Sequence, residues 1–182
     1  ERSRGLGDVY KRQAYRRKRN FLKTSEPSGK EEKPVGVTKR KIFAVQLHYA
    51  RTTHFDFRLE WDGVLLSWAV PKGPSFNPKD KRLAVRVEEH PLDYADFEGV
   101  IPKGEYGGGT VLLWDKGYWT ETEDFARGLE KGSLKLRLDG KRLKGGWALV
   151  RLNDKDKAED EKENWLLFKE KDSFAKDTSG LT

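Results

Sequence analysis

The sequence predicts an all-β protein in which short antiparallel strands form a barrel or a sandwich. Runs of alternating polar and apolar residues recur along the chain, and each has the length of a strand. Turn signals such as Asp62-Gly63 separate consecutive runs. Aromatic residues make up 12% of the chain, with 6 Trp and 9 Phe, which argues against overall disorder. Together these observations favour a folded β domain with a substantial core.

The first two predicted strands, FAVQLHYA and HFDFRLEW, form a hairpin. The apolar residues of each strand share one face, which belongs in the core. The polar residues share the other face, and they are Gln46 and His48 in the first strand and His54, Asp56, Arg58 and Glu60 in the second. Only Arg51-Thr52-Thr53 separates the two runs, so antiparallel pairing is expected.

Further strands are predicted in VLLSWAV, RLAVRVEEH, GGTVLLWDKGYWTE, SLKLRLDG, GWALVRLN and NWLLFKEKD. In RLAVRVEEH, alternation predicts that Leu83, Val85 and Val87 point inward and that Arg82 and His90 share the opposite face. Asp139-Gly140 is predicted as a hairpin turn, and TEDFARGLE (122–130) as a short helix. The tryptophans are predicted to lie mostly in the core, with Trp119, beside Tyr118, as a candidate exposed base-stacking residue.

The chain is predicted to hold one β domain over residues 41–176, with an arm over 14–40 and a tail over 177–182. The arm is either a disordered leader or a segment that touches substrate. The segment DVYKRQ reads as a translated sequencing adapter, so residues 1–13 are expected to be an artefact or disordered, and the true start to be missing. Those residues carry four Lys or Arg and two Asp or Glu, so the net charge of +7 falls to 7 − 2 = +5 without them.

The composition narrows the possible functions. The positive net charge permits a polyanionic partner such as nucleic acid, although a solvated basic surface has the same composition. The chain has no cysteine, which excludes a disulfide framework, a Cys-based zinc site and a thiol nucleophile, and which fits a reducing cytoplasm. No apolar run approaches the ~20 residues of a membrane span, so we expect no membrane partner.

The polar face of the hairpin is a candidate divalent-metal site. Residues i and i+2 of a strand lie roughly 7 Å apart on one face, so His54, Asp56 and Arg58 form a row, with His48 beside it. Two imidazoles and a carboxylate suit Mn, Fe or Zn. Arg58 would clamp a phosphate or carboxylate, and His90 and Arg82 would add to the site. Ordinary polar surface residues are the alternative interpretation.

Other motifs leave alternatives open. PKGEYGGGT (102–110) is either a backbone cradle for phosphate or a tight turn between strands. Two rival functions also remain. One is an iron oxygenase with His54, Asp56 and His90 as its ligands, and the other is a non-catalytic nucleic-acid-binding β-barrel module.

The chain resembles the 3′-phosphoesterase domain of bacterial ATP-dependent DNA ligase D, which also occurs as a stand-alone protein. The resemblance rests on KRNFLKTSEP, FAVQLHYARTTHFDFRLEWDGVLLSWAVPKGPS, RLAVRVEEHPLDYADFEGVIPKGEYGGGTV and NWLLFK, which occur in this order from about residue 15 to residue 172. It implies a compact β-barrel with a short helix, an N-terminal arm and an active site in a surface groove. It also implies Mn²⁺, or another divalent metal, as cofactor.

The resemblance implies roles for particular residues. Metal binding is implied for His48, His54 and Asp56, and phosphate contact for Arg58 and His90. Further active-site positions match Gln46, Lys72, Arg82 and Tyr94, and support of ribonucleotide removal matches Arg19, Glu26 and Glu88. The family usually has Asp where this chain has Asn20, and an amide cannot supply the same negative charge.

The resemblance also implies a substrate and partners. The substrate is a DNA 3′ end, in a primer-template, that carries a ribonucleotide or a phosphate, and trimming leaves a 3′-hydroxyl for non-homologous end joining. The expected partners are ligase and polymerase domains, of the same or another chain, and a Ku-type end-binding protein. The expected location is the cytoplasm, in association with the nucleoid.

Overall fold

The structure is a computed structural model that describes residues 13–29, 40–153 and 162–181. The predictions for the adapter-like residues 1–12, for residues 30–39 of the arm and for residues 154–161 of the predicted β domain lie outside the described residues.

Within those ranges the chain forms nine strands. They are β1 (Lys41–Tyr49), β2 (Thr53–Trp61), β3 (Val64–Val70), β4 (Arg82–His90), β5 (Gly99–Ile101), β6 (Gly109–Glu121), β7 (Ser133–Gly140), β8 (Lys144–Arg151) and β9 (Asn164–Lys169). All pairings are antiparallel, and they follow the order β1-β2-β3-β4-β9-β8-β7-β6, with β6 pairing back to β1. These eight strands close a barrel, and β5 pairs with the first residues of β6. The predicted all-β class is confirmed, as a barrel.

Three short helical segments accompany the barrel in the described ranges. They are α1 (residues 13–17), the 3₁₀ helix η1 (Leu92–Asp96) and α2 (Phe125–Lys131). Helix α2 is the predicted short helix, and a capping residue stands at each of its ends. Asp124 accepts a hydrogen bond from the Arg127 backbone N–H, and Gly132 follows with a left-handed φ of 82°. No helix in these ranges has the length and apolar character needed to cross a membrane.

The barrel interior is packed with aromatic and aliphatic side chains. Trp68, Trp119, Trp147 and Trp165 are all fully buried there. The prediction of Trp119 as a candidate exposed residue was wrong, because neighbouring residues of a strand point to opposite faces. Tyr118 takes the outward position and is 40% exposed, while Trp119 points inward and donates from Nε1 to the Glu60 carbonyl at 3.1 Å.

The predicted orientation of β4 was wrong from Leu83 to Val87. Alternation predicts Leu83, Val85 and Val87 to point inward, but Leu83 is 43% exposed and Ala84 is fully buried. Ala84 pairs with the buried Trp165, and partners across a strand pair share a face. The even-numbered residues therefore point into the barrel at this end of the strand.

A register shift after Val87 turns the end of β4 over. The pairing of β4 with β3 is irregular between Leu65 and Ser67, and such a bulge moves later side chains to the other face. His90 consequently lies on the outer wall opposite Leu65, while Arg82 pairs with the buried Leu167. Arg82 and His90 therefore do not share a face, contrary to the sequence prediction.

The predicted turn at Asp139-Gly140 was also wrong. Strand β7 continues through Gly140, and the chain reverses over residues 141–143. The buried carboxylate of Asp115 accepts hydrogen bonds from the backbone N–H groups of all three residues of this reversal. A side chain on another strand thus decides where the turn forms.

A second layer covers part of the outer wall of the barrel. Tyr15 of the arm, Tyr94 of η1, Phe97 and Ile101 are buried together in a separate apolar cluster, against Ala44 and Leu65 of the wall. This layer leaves the outer face of β1 to β3 largely inaccessible to water. The polar row of the hairpin therefore lies between the barrel and a cover.

Candidate active site

The outer face of the β1–β2 hairpin carries the predicted polar residues in register. His48 lies opposite His54, and Gln46 lies opposite Asp56. Residues opposite each other on one face have Cβ atoms about 4.5–5.5 Å apart. Arg58 follows Asp56 on the same face of β2. The hairpin alone therefore brings two imidazoles, a carboxylate and a guanidinium together.

His48, His54 and Asp56 form a trio whose ligand atoms can all lie within 4.8 Å of one another. His48 Nδ1 is 3.5 Å from Asp56 Oδ2, and His54 Nε2 is 3.3 Å from Asp56 Oδ1. The other nitrogens donate to backbone carbonyls: His48 Nε2 to Gly107 at 2.7 Å, and His54 Nδ1 to Thr52 at 2.8 Å. Because a carbonyl only accepts, these bonds fix the outer N–H of each ring and turn the inner nitrogen, Nδ1 of His48 and Nε2 of His54, towards the carboxylate.

This trio fits a divalent metal ion. Imidazole nitrogens with a carboxylate oxygen suit Mn, Fe or Zn, and metal-binding histidines commonly donate their second N–H to a carbonyl. Burial alone would raise the pKa of Asp56, but hydrogen bonds from His48 and His54 and the charge of Arg58 hold it far below its usual range. Burial also opposes the charged form of His54, yet its contact with Asp56 raises the pKa of this imidazole overall. Asp56 is thus an ionised carboxylate at neutral pH.

Arg58 lies beside the trio with its side chain fixed. Its Nε donates to Gln46 Oε1 at 2.7 Å and its Nη1 to Ser67 Oγ at 2.8 Å. Its Nη2 is 3.6 Å from Asp56 Oδ2, and the ring of Tyr94 lies 4.8 Å from the guanidinium carbon. The Nη2 edge is therefore the part of the cation directed at the trio, where an anion would meet it.

Gln46 positions this arginine. It is fully buried, and its Nε2 donates to the carbonyls of Tyr94 at 2.8 Å and Phe97 at 3.0 Å. Its amide is thus occupied by protein groups on both sides. Gln46 therefore connects Arg58 to η1 and to Phe97, the residue that follows η1. It would affect a bound substrate only through the position of Arg58.

The third histidine of the chain, His90, lies at the end of β4 and outside the trio. Its Nδ1 donates to the Glu88 carbonyl at 2.9 Å, and its Nε2 accepts from Arg19 Nη2 at 3.3 Å. Burial, followed by the charges of Arg58 and Arg19, lowers the pKa of His90 well below its ordinary value. The imidazole is therefore neutral, with its lone pair on Nε2.

A buried ion-pair network joins the arm to the site. Arg19 Nε lies 2.8 Å from Glu26 Oε2, and Arg19 Nη1 lies 3.3 Å from Glu88 Oε1. Glu26 also accepts hydrogen bonds from the Tyr94 hydroxyl at 2.8 Å and from Thr24 Oγ1 at 3.1 Å. Burial raises the pKa of Tyr94, so its hydroxyl stays protonated and donates. The described part of the arm is consequently one wall of the site.

A cleft of about 280 Å³ opens between these groups. Most of the predicted site residues line it, while Gln46 and Glu26 are buried. Neither Lys72 nor Arg82 is among its lining residues. Lys72 is exposed after β3, and Arg82 lies 90 − 82 = 8 residues before His90, which is about 26 Å along an extended strand. The structure does not bring these two residues into the cleft.

Asn20, where this chain departs from the family pattern, is exposed in the arm next to Arg19. Its Oδ1 accepts a hydrogen bond from the Leu22 backbone N–H at 3.1 Å. An aspartate side chain could accept the same bond. The local turn of the arm therefore does not depend on a negative charge at this position.

Several residues that shape the site were missed in the sequence. Ser67 holds Arg58, and a lone hydroxyl in the otherwise apolar strand VLLSWAV was the available signal. Tyr106 lines the cleft from the loop that follows β5. The carbonyls of Thr52 and Gly107 fix the two histidines, and no side-chain pattern could have indicated them.

The glycine-rich segment 102–110 contains the predicted tight turns. The Glu105 N–H donates to the Pro102 carbonyl at 3.1 Å, and the Gly108 N–H donates to the Glu105 carbonyl at 3.0 Å. At Gly109, where φ is +141°, a Cβ atom would lie 2.1 Å from the carbonyl oxygen of Tyr49. Glycine therefore permits the close approach to β1 that places the Gly107 carbonyl against His48.

Comparison with known proteins identifies the family. The family described as DNA Ligase D 3′-phosphoesterase domain matches residues 46–151, which include the trio, Arg58 and His90. The chain is 52% identical over 162 residues to the Multifunctional non-homologous end joining protein LigD of Pseudomonas aeruginosa, covering 89% of this chain and 19% of that protein. It is 47% identical over 139 residues to the Multifunctional non-homologous end joining DNA repair protein LigD of Mycobacterium tuberculosis, covering 76% and 18%. With the LigD of Mycolicibacterium smegmatis the identity is 41% over 165 residues, covering 87% and 20%.

The chain thus spans about a fifth of the length of these curated relatives. The resemblance stated from the sequence is confirmed by the family match and by identities of this size over most of the chain. The fold and the cleft described above are accordingly those of a family member: the chain belongs to the DNA Ligase D 3′-phosphoesterase domain family.

Proposed function

We propose that this chain is a metal-dependent phosphoesterase that heals DNA 3′ ends in non-homologous end joining. It removes a terminal ribonucleotide or a 3′-phosphate and leaves a 3′-hydroxyl. The observation that carries the proposal is a single cluster in which Asp56 joins two open imidazole nitrogens to the fixed guanidinium of Arg58. Family membership and the names of the relatives support the substrate class and the repair process.

His48, His54 and Asp56 would hold the metal, with Mn²⁺ as the proposed ion because nitrogen and oxygen donors suit it. When bound, the metal supplies positive charge against the oxygens of a phosphoryl group. Arg58 directs its Nη2 edge to the same place and stabilises the charge that develops there. Because Gln46 and Ser67 already hold the guanidinium, this edge needs no rearrangement when substrate binds.

We assign proton transfer to Nε2 of His90. Attack of water on phosphorus breaks the bond to the leaving oxygen, and that oxygen needs a proton. In the free site Nε2 accepts a hydrogen bond from Arg19, and burial, together with the nearby arginine charges, keeps the imidazole neutral. A bound phosphate offsets those charges and so raises the pKa of His90. Nε2 then takes up a proton from solvent and passes it to the leaving oxygen, while the attacking water releases one proton to solvent, so the protons balance.

We further propose that Arg19, Glu26 and Glu88 support ribonucleotide removal. Arg19 reaches His90 directly, so a terminal nucleotide bound at His90 would contact this guanidinium. The two carboxylates fix the arginine from either side. Lys72 and Arg82 are given no step, because both lie outside the cleft.

The chain is proposed to act beside ligase and polymerase domains, of the same or another chain, and with a Ku-type end-binding protein. The length of the relatives and the word multifunctional in their names support this arrangement. A primer-template DNA is the proposed common substrate.

The test uses two end-labelled primer-templates, one ending in a single ribonucleotide and one in a 3′-phosphate. Each is incubated with the protein, with and without Mn²⁺, beside His48→Ala and His54→Ala. Both variants should lose all turnover and keep their circular dichroism spectrum, because these histidines lie on the outer wall and not in the core. Metal-dependent processing that persists in both variants would refute the assignment of His48 and His54 as metal ligands.

The two substrates separate the two activities. If only the 3′-phosphate is removed, Asn20→Asp is the variant that should restore ribonucleotide removal. If neither end changes with any divalent metal while the protein is folded, the phosphoesterase proposal fails. The non-catalytic nucleic-acid-binding function then takes its place.

A further inference from the structure

A second groove lies on the outer wall of the barrel, with a volume of about 440 Å³. Strand pairing sets Tyr118 between Ile42 and Asp139, and Asp139 opposite Lys144. Partners across a strand pair share a face, so these side chains form one row that crosses β1, β6, β7 and β8. From Ile42 to His48 is six residues along β1, or about 20 Å. The groove and the candidate active site therefore lie on the same wall.

The groove is basic. Its charged lining residues are Arg40, Lys41, Arg137, Lys144 and a single carboxylate, Asp139. The carboxylate lies 3.5 Å from Lys144 Nζ, and Lys41 is paired with Glu121. In residues 40–153 and the other described ranges, Arg40 and Arg137 form no ion pair. Two guanidinium groups are therefore available to an anion.

Two exposed aromatic side chains lie among these cations. Tyr118 is 40% exposed and Phe174 is 41% exposed. The Arg40 guanidinium carbon lies 4.9 Å from the centre of the Tyr118 ring. Phe174 rests on Gly145, where a Cβ atom would come within 2.8 Å of its ring. Alternating cations and aromatic faces are the means by which proteins hold an unpaired nucleic-acid strand, with phosphates on the cations and bases on the rings.

We propose that this groove binds an unpaired DNA strand, with Tyr118 stacked on a base and with Arg40 and Arg137 on phosphates. A duplex fits less well, since its bases stack on each other and offer no free face to the ring. The identity of the strand as DNA rests on the proposed function. At about 20 Å from the trio, the groove lets one DNA molecule contact both places.

The test measures binding of a fluorescent oligothymidylate to the full chain over a range of salt concentrations. Tyr118→Ala should weaken binding by about 5- to 150-fold, the effect of losing one stacked base. Arg137→Ala should reduce the slope of log K against log salt by about 0.7, which corresponds to one phosphate contact on a single strand. Lys135→Ala is the matched control, because it removes one charge from the same face of β7 outside the groove. Its slope should stay that of the unmodified protein.

Three results would overturn the proposal: no binding by the unmodified protein, undiminished binding by Tyr118→Ala, or equal loss in Lys135→Ala and Arg137→Ala. Tyr118→Leu keeps apolar bulk without the ring, so it should also bind weakly while it melts like the unmodified protein. The outcome is distinguishable from that of the proposed function. If the unmodified protein processes no DNA end but the groove variants lose oligothymidylate binding, the groove proposal is supported and the phosphoesterase proposal is refuted. If the protein processes DNA ends but the groove variants bind as well as the unmodified protein, the phosphoesterase proposal is supported and the groove proposal is refuted.

Discussion

Replacing Gly109 by alanine tests whether the glycine-rich turn positions His48. The added Cβ atom would lie 2.1 Å from the Tyr49 carbonyl oxygen and 2.8 Å from its carbonyl carbon. Carbon–oxygen contacts settle at about 3.3–3.6 Å, so the turn and β1 must separate by about 1 Å. The hydrogen bond of 2.7 Å between His48 Nε2 and the Gly107 carbonyl would then exceed bonding distance.

Loss of such an outer partner costs about 10- to 100-fold in metal affinity, or about 1.4–2.7 kcal/mol. Calorimetric titration with Mn²⁺ should show this loss in Gly109→Ala. The matched control is Gly104→Ala in the same turn, where φ is +95° and a Cβ atom would meet nothing within 4 Å. Gly104→Ala introduces the strain of a positive φ at a residue with a Cβ atom but does not displace the turn, so the Mn²⁺ affinity of this variant should equal that of the unmodified protein. Equal affinities in the two variants would refute the argument.

Three further predictions concern stability. Asp115→Ala removes the acceptor for the backbone of the 141–143 reversal and should lower the free energy of unfolding in urea by about 2–4 kcal/mol. The unfolding free energy of Asp115→Asn should lie between those of Asp115→Ala and the unmodified protein. Asp172 is partly desolvated, but its 2.8 Å contact with the buried Lys169 lowers its pKa overall. The stabilisation that the ionised Asp172 provides is therefore present above about pH 4 and is lost as pH falls through the folded pKa. The difference in melting temperature between the unmodified protein and Asp172→Asn should consequently shrink between pH 7 and pH 3. The pKa of His90 is lower in the folded protein than in the unfolded chain, so the unfolded state binds more protons. The free energy of unfolding should therefore fall as pH drops below about 6.5, and it should fall less steeply in His90→Gln. Identical slopes of unfolding free energy against pH in the two proteins would contradict a neutral imidazole.

The hairpin that carries the trio was predictable because its determinants are local. A period of two residues defines the polar face, and a three-residue connection leaves little freedom in register. His48 and His54 therefore had to meet near Asp56. The same reasoning placed Arg58 on that face, and the structure adds only what holds it there.

Other features depend on residues far apart in sequence. The change of face at the end of β4 follows from a bulge in its pairing with β3, which no alternation within RLAVRVEEH reveals. The reversal after β7 follows from Asp115 on β6. Arg82 was grouped with His90 by counting residues along one strand, and the same bulge separates them. Non-local hydrogen bonding thus decides these cases.

The sequence left open whether the polar face of the hairpin was a site or a solvated surface, and the difference lies in what covers that face. Tyr15, Tyr94 and the buried Arg19–Glu26 pair close over the outer wall and remove water from it. Without this cover, solvent would screen the charges of the two arginines, and the pKa of His90 would stay nearer its ordinary value. Covered, His90 is neutral, and the same loss of water would strengthen the attraction of Arg58 for the phosphate of the proposed substrate. The second layer, built largely by the arm and η1, is therefore what separates this polar strand face from solvent.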